Sequence, residues 1–245
     1  MRPDKDKPYY TAYDKRYRAV YDQGADHYLY LPEYEDAKIV IKEFVHRFAL
    51  NNKNVVEFGY GEGLGGLEFA KLGCRYQGYD ISPAAIENAK STLADYKNVY
   101  VAVFDIVKES VQTSTYDAGI DIACLHMLVV NGDRTKYLQN AFSSLKPGAA
   151  MLFAHEQLVD TEYMGEVKDY EQWSKITGSD YDTPEQRTAV KNGKVIPIWI
   201  PRIAARPRTE SSYRNELKQI GFKVLEFTKL EYMANILVKN HYKDK

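Results

Sequence analysis

The chain has 245 residues, 44% of them hydrophobic and 27% charged, with a formal net charge of −1. That length suffices for one large α/β domain with a buried core, and the near-neutral charge gives no overall attraction to nucleic acid or anionic membranes. No apolar run approaches the roughly 20 residues that cross a bilayer, and residues 1–7 lack the apolar core of a signal peptide. Cys74 and Cys124 both sit in apolar, strand-like runs and read as small buried hydrophobes, so a reducing cytoplasm is the expected compartment.

Residues 1–36 hold eight of the 21 tyrosines. Tyr10, Tyr13, Tyr17 and Tyr21 recur at spacings of three and four, which places them on one side of a helix. A second amphipathic helix is predicted from Pro32 to about Phe48, with Ile39, Phe44 and Phe48 inward. Short apolar runs then alternate with helices. Strands are predicted at 54–58, 75–79, 98–104, 120–126 and 149–154, and helices at 64–72, from Ser82 to about Tyr96, and at 135–145. Ser82 reads as an N-cap with Pro83 at the first helical position. Strands separated by helical crossovers imply a parallel sheet covered on both faces. The rhythm breaks for about 50 residues after the fifth strand and resumes with a helix at 211–220. Two adjacent extended runs, 222–229 and 233–239, then read as an antiparallel hairpin.

The segment Val55-Val56-Glu57-Phe58-Gly59-Tyr60-Gly61-Glu62-Gly63 joins the first strand to its helix. Glycines there let the backbone turn tightly and approach a ligand, with helix N-terminal amides aimed at it. Gly61, Gly63 and Gly66 also form a G-x-G-x-x-G, so a dinucleotide site is a rival reading. Glu57, still in the strand end, would repel a pyrophosphate and attract an ammonium. Asp80 ends the second strand, where a carboxylate can accept from both ribose hydroxyls. Asp105 ends the third, placed to accept from an adenine amino group. Three acids ending three successive strands match a ligand with ammonium, ribose and adenine but no phosphate.

With these motifs in this order, the sequence resembles the class I S-adenosylmethionine-dependent methyltransferases over roughly residues 35–157 and 209–240. The resemblance implies a Rossmann-like, doubly wound α/β fold: a mostly parallel seven-stranded sheet with an antiparallel C-terminal hairpin. It implies S-adenosyl-L-methionine as cofactor, held by Glu57, Gly59, Gly61, Gly63, Asp80, Ile81, Asp105, Ile106 and Leu125. Leu145-Lys146-Pro147-Gly148 matches the turn before strand five in many small-molecule members. The expected layout is a tyrosine-rich helical lid (1–36), a cofactor-binding core (37–157), a substrate-cap insertion (158–210) and completion of the core (211–245).

A sulfonium methyl is already activated, so the protein must mainly hold the acceptor in line behind it in a dry pocket. His126 and His155, expected to end strands four and five, are candidate catalytic bases. Asp121, earlier in its strand, is expected to cap a backbone group. Tyr13, Tyr17 and Tyr21 of the lid, with Trp173 and Arg202 of the insertion, are candidate acceptor-site residues. Residues 158–186 carry eight acids against two lysines, and 187–208 carry six basic residues and no acid. Arg202, Arg206 or Arg208 would suit an anionic group on the acceptor, and Trp173 and Trp199 its walls. No metal is expected. The reading is transfer to nitrogen or oxygen of a small molecule, without nucleic-acid or membrane partners. A non-enzymatic cofactor-binding protein and a macromolecule methyltransferase stay as alternatives, and the sequence leaves the oligomeric state open.

Overall fold

The computed structural model describes residues 7–28, 31–179, 181 and 183–241, with backbone alone for 31–34. A short 3-10 turn, Tyr9–Thr11, leads into α1 (Ala12–Asp22), and α2 (Leu31–Phe48) follows. The alternating part comprises β1 (Asn54–Phe58), α3 (Leu64–Lys71), β2 (Arg75–Asp80), α4 (Pro83–Thr92) and β3 (Val99–Val103), then β4 (Tyr116–Ile122), α5 (Asn131–Ser144) and β5 (Leu145–Gln157). The insertion supplies α6 (Tyr170–Thr177), β6 (Glu185–Lys191) and β7 (Lys194–Ile200). The chain closes with α7 (Glu210–Ile220), β8 (Phe222–Lys229) and β9 (Met233–Asn240).

Seven strands form one sheet in the order β3-β2-β1-β4-β5-β9-β8. The first five pair in parallel, whereas β9 lies antiparallel to both β5 and β8. This is the Rossmann-like, doubly wound arrangement expected from the sequence. Strand order reverses between β1 and β4, which opens a crevice beyond the carboxyl ends of those strands. Adjacent strand residues point to opposite faces, and β1 shows the consequence. Val55 packs with Ile41, Phe44, Phe69 and Ile86 on the α2–α4 side. Val56 packs with Tyr137, Leu138, Tyr213 and Leu217 on the α5 and α7 side. Both valines are fully buried, as a strand covered on two faces requires.

Several boundaries differ from expectation for local reasons. The fourth strand begins at Tyr116 and ends at Ile122 rather than running over 120–126. Asp117, Ala118 and Gly119 mask its start, yet a Cβ on Gly119 would lie 3.2 Å from Leu145, so the smallest residue fits a tight sheet position. Its end is set by Ala123, whose positive φ of 58° turns the chain, and by Asp121, which accepts from the Cys124 amide at 2.8 Å. His126 therefore sits in a 3-10 turn, Leu125–Met127, and not on the strand. In α2 it is Ile41 that is buried, and Ile39 is 56% exposed. The expected lid boundary at residue 36 falls inside that helix. Strand five extends beyond 149–154 in both directions.

The insertion contains a hairpin that the sequence reading passed over. Asn192 and Gly193, both at positive φ, join β6 to β7, and Asn-Gly between extended runs is the usual signal for such a turn. Ala189, Ile198 and Ile200 of this hairpin bury against Val20 of α1 and Ala25. The N-terminal helix and the insertion thus share a small core of their own, separate from the two cores flanking the sheet.

Candidate active site

The loop after β1 rises from the centre of the sheet. Gly59 has φ 75°, and a Cβ there would collide with the side chain of Cys124. Gly61 has φ 56°, and a Cβ would come 2.5 Å from the Tyr17 hydroxyl. At both positions backbone conformation and close approach demand glycine. Gly63 completes the loop in the same left-handed region as the residue before α3.

Asp80 ends β2 and is 7% exposed. It accepts the Gly61 amide on Oδ2 and the Ser82 amide on Oδ1, each at 2.8 Å. Burial raises its pKa to about 6 even though these amides pull it down. Each carboxylate oxygen keeps a further lone pair, so the group can still accept from a pair of ligand hydroxyls. Ile81 follows, packed against the α5 side of the core.

Glu57 does not open onto free space. Its carboxyl lies beneath the first turn of α3, where a Cβ on Gly65 would approach Oε2 to 2.6 Å, and it accepts from the Tyr76 hydroxyl at 2.5 Å. Burial, and to a lesser extent the neighbouring Asp80 charge, push its pKa up to about 8 against the lowering effect of Tyr76. Asp105 accepts the Tyr10 hydroxyl on both oxygens at 3.1 Å and also takes the amides of Val107 and Lys108. The Ile106 carbonyl is held by Asn140.

The lid is fastened onto these same groups. Besides Tyr10 on Asp105, Asp14 of α1 accepts from Ser82 Oγ and from the Ala84 amide at 2.9 Å, adding a carboxylate to the Ser82 hydroxyl that already caps α4. Tyr17 lies over Gly61, and Tyr21 donates to Glu62, 3% exposed, at 3.0 Å. Asp14 and Glu62 were not among the expected site residues. Asp14 reads locally as an ordinary first-turn acid, and only the lid's docking gives it a partner 68 residues away.

The two histidines part company. His126 is 1% exposed, with Nδ1 3.0 Å from Glu156 Oε2 and its amide donating to the same oxygen. Glu156 also accepts from the Leu125 amide and the Tyr213 hydroxyl. Its pKa stays low despite burial because of the His126 and Arg134 side chains, and the Gln157 amide lies 3.3 Å from His126 Nδ1. Leu125, fully buried, anchors this turn. His155 takes a positive φ of 55° on β5, and its amide is held by Asn235.

The insertion arginines also separate. Arg206 is buried, bonded to the Val129 carbonyl, Asn131 and the Gly165 carbonyl, and stacked 5.5 Å over Trp173. Arg208 pairs with Glu162 at 2.9 Å. Trp199 is 57% exposed on β7, so the expected pairing of two tryptophans as pocket walls is not formed. A narrow crevice of about 10 Å³, room for roughly one water, lies between the lid and the insertion, lined by Tyr9, Tyr10, Tyr13, Tyr170 and Arg202 with three small or aliphatic residues. Tyr13 and Arg202 thus meet, while Tyr17 and Tyr21 face the glycine loop and Trp173 lies under Arg206.

These residues suit the expected cofactor. The diol-accepting capacity of Asp80 at the end of β2, beside the Gly61 amide, matches an adenosyl group carrying no phosphate. The chain matches the methyltransferase-domain family over residues 34–226. It belongs to that family and is an S-adenosylmethionine-dependent methyltransferase of class I. The fold is similar to that of the Burkholderia thailandensis 1,6-didemethyltoxoflavin-N1-methyltransferase, solved with 1,6-didemethyltoxoflavin and S-adenosylhomocysteine. That likeness has a TM-score of 0.65 at 12% identity, covering 99% of this chain and 94% of the other. It is also similar to a Methanosarcina mazei S-adenosylmethionine-dependent methyltransferase, with a TM-score of 0.61, 17% identity and coverage of 82% and 98%. A third is the glycopeptide N-methyltransferase MtfA complexed with sinefungin, with a TM-score of 0.57, 14% identity and coverage of 83% and 92%. No curated protein matches the sequence. Among the described residues no helix is long and apolar enough to cross a membrane.

Proposed function

We propose that the enzyme methylates a nitrogen or oxygen of a small molecule seated between the N-terminal lid and the 158–210 insertion, and that it works in the cytoplasm. The observation that carries this is the shared wall: Tyr10 and Tyr13 line the crevice, and Tyr10 at the same time bonds Asp105, two residues beyond β3. An acceptor there would touch the lid and lie next to the cofactor. The bound cofactor supplies an activated methyl group.

In this reading the loop at Gly59, Gly61 and Gly63 cradles the cofactor's amino-acid end. Asp80 accepts from the ribose hydroxyls and Asp105 from the adenine amino group, with Ile81, Ile106 and Leu125 packing around it. Where the acceptor must lose a proton, His126 and His155 are the proposed recipients, and the Glu156 carboxylate beside His126 would stabilise its imidazolium. The lid excludes water by covering the loop with Tyr17.

The test is to incubate the protein with methyl-labelled cofactor and a fractionated cell extract. Label is expected in the low-molecular-weight fraction. Label confined to RNA, DNA or protein would overturn the small-molecule assignment.

A further inference from the structure

We propose that the N-terminal helix is part of the cofactor's ribose subsite: Asp14, with Tyr17 one turn further along, is a positioning residue that fixes the two backbone donors holding Asp80. This rests on the reading above that Asp80 accepts from the ribose hydroxyls.

A carboxylate that must receive two hydroxyls at once has to be oriented beforehand by its own partners. Asp80 is oriented by two amides, Gly61 on Oδ2 and Ser82 on Oδ1, each at 2.8 Å. Both donors lie outside the strands: Gly61 in the loop after β1, and Ser82 at the N-cap of α4. The sheet ladder therefore fixes neither of them.

The lid helix reaches both. Asp14 Oδ1 accepts the Ser82 hydroxyl and the Ala84 amide at 2.9 Å, while the same hydroxyl oxygen accepts the Ala85 amide at 3.1 Å. Ser82 is fully buried, and Asp14 takes its one hydroxyl proton. A continuous path results, from the Asp14 carboxylate through the hydroxyl and amide of Ser82 to the Asp80 carboxylate. Burial works against ionisation of Asp14, but the Ala84 amide, Arg18 and Ser82 hold its pKa below the ordinary value. Its bonds to α4 are thus charge-assisted. On the other donor, a Cβ at Gly61 would come 2.5 Å from the Tyr17 hydroxyl, so that hydroxyl stands against the loop. The next residue, Glu62, accepts the Tyr21 hydroxyl at 3.0 Å and the Tyr28 amide at 2.7 Å.

Asp14, Tyr17 and Tyr21 follow at spacings of three and four, which puts them on one face of α1. A different face anchors the helix, with Val20 buried against the β6–β7 hairpin and Arg16 paired with Glu185. The polar face is thereby left to meet the donors of Asp80.

The experiment is calorimetry on the full chain with S-adenosylhomocysteine and its 2′,3′-dideoxyribosyl analogue, which lacks only the two hydroxyls. D80A should bring the two ligands to similar affinity. D14A should weaken S-adenosylhomocysteine by about 10-fold, as loss of a charge-assisted hydrogen bond implies, and the analogue by less than about two-fold. D14N, whose amide oxygen can take both Oδ1 bonds, should restore most of the loss. In a D80A background D14A should change nothing, because its effect runs through Asp80. S82A removes the hydroxyl link and should repeat the D14A pattern, so it carries the test if D14A does not fold. A loss equal for both ligands, a loss that persists in D80A, or no loss at all would make Asp14 a helix cap alone and overturn the inference. The ribose reading has its own arm: if D80A leaves the preference for the hydroxylated ligand intact, that reading fails and takes the inference with it.

Discussion

The sheet core and the lid unit obey different rules. In the core each element is dictated within a dozen residues: a continuously buried, mostly apolar run in β1, a Ser-Pro start to α4, glycines where φ is positive. In the lid unit, α1 and the β6–β7 hairpin acquire a common core only by meeting across about 170 residues, and α1 reaches the loop and strand ends through Tyr10, Asp14, Tyr17 and Tyr21. Local signals build the glycine loop and strand ends proposed to hold the cofactor. Long-range docking builds the part that would choose the acceptor.

The sharpest way to break this comparison is to delete residues 1–22. Methyl transfer should fall by on the order of 100-fold or more, because the acceptor loses its positioning and its dry pocket, while the core still binds S-adenosylhomocysteine. Full turnover by the truncated chain would make the two halves independent.

Asp80→Ala probes the core side. Loss of charge-assisted hydrogen bonds to the ribose should weaken cofactor binding by about 1.5–3 kcal/mol, read by calorimetry against an unchanged far-ultraviolet spectrum. Because the Asp80 pKa is raised to about 6, its carboxylate is protonated below that value. Cofactor affinity in the parent protein should therefore weaken as pH falls from 7 to 5, and Asp80→Asn should flatten that profile.

Glu57→Gln tests the buried acid beneath the loop. The folded chain holds its proton up to about pH 8, whereas the ordinary value is 4.5. The native state thus binds more protons between those values, and stability falls as pH rises through that window. Glu57→Gln should remove this fall, so its melting temperature exceeds the parent's at pH 8 and the gap closes toward pH 4.5. Parallel melting curves at every pH would show that Glu57 ionises freely.

The smallest effect is expected from Tyr10→Phe, which deletes one latch worth about 0.5–1.5 kcal/mol. Hydrogen exchange in α1 should speed up in the cofactor-free protein while β1 and β4 stay protected. If α1 exchanges at the parent rate, the other latches hold the lid alone.

By itself the sequence determined the sheet's composition, the glycine loop, the strand-end acids and the C-terminal hairpin, because periodicity, capping and positive φ are read within one turn or one strand. The Asn192-Gly193 turn was legible in the same way and was passed over among the charges around it. The tertiary structure alone decided that β4 stops at Ile122 and turns His126 into a buried partnership with Glu156, 30 residues ahead. It also turned Glu57 beneath α3, spent Arg206 and Arg208 internally, and left Arg202 at the crevice. Each of those outcomes depends on which distant element arrives opposite a side chain, and no spacing along the chain encodes that arrival.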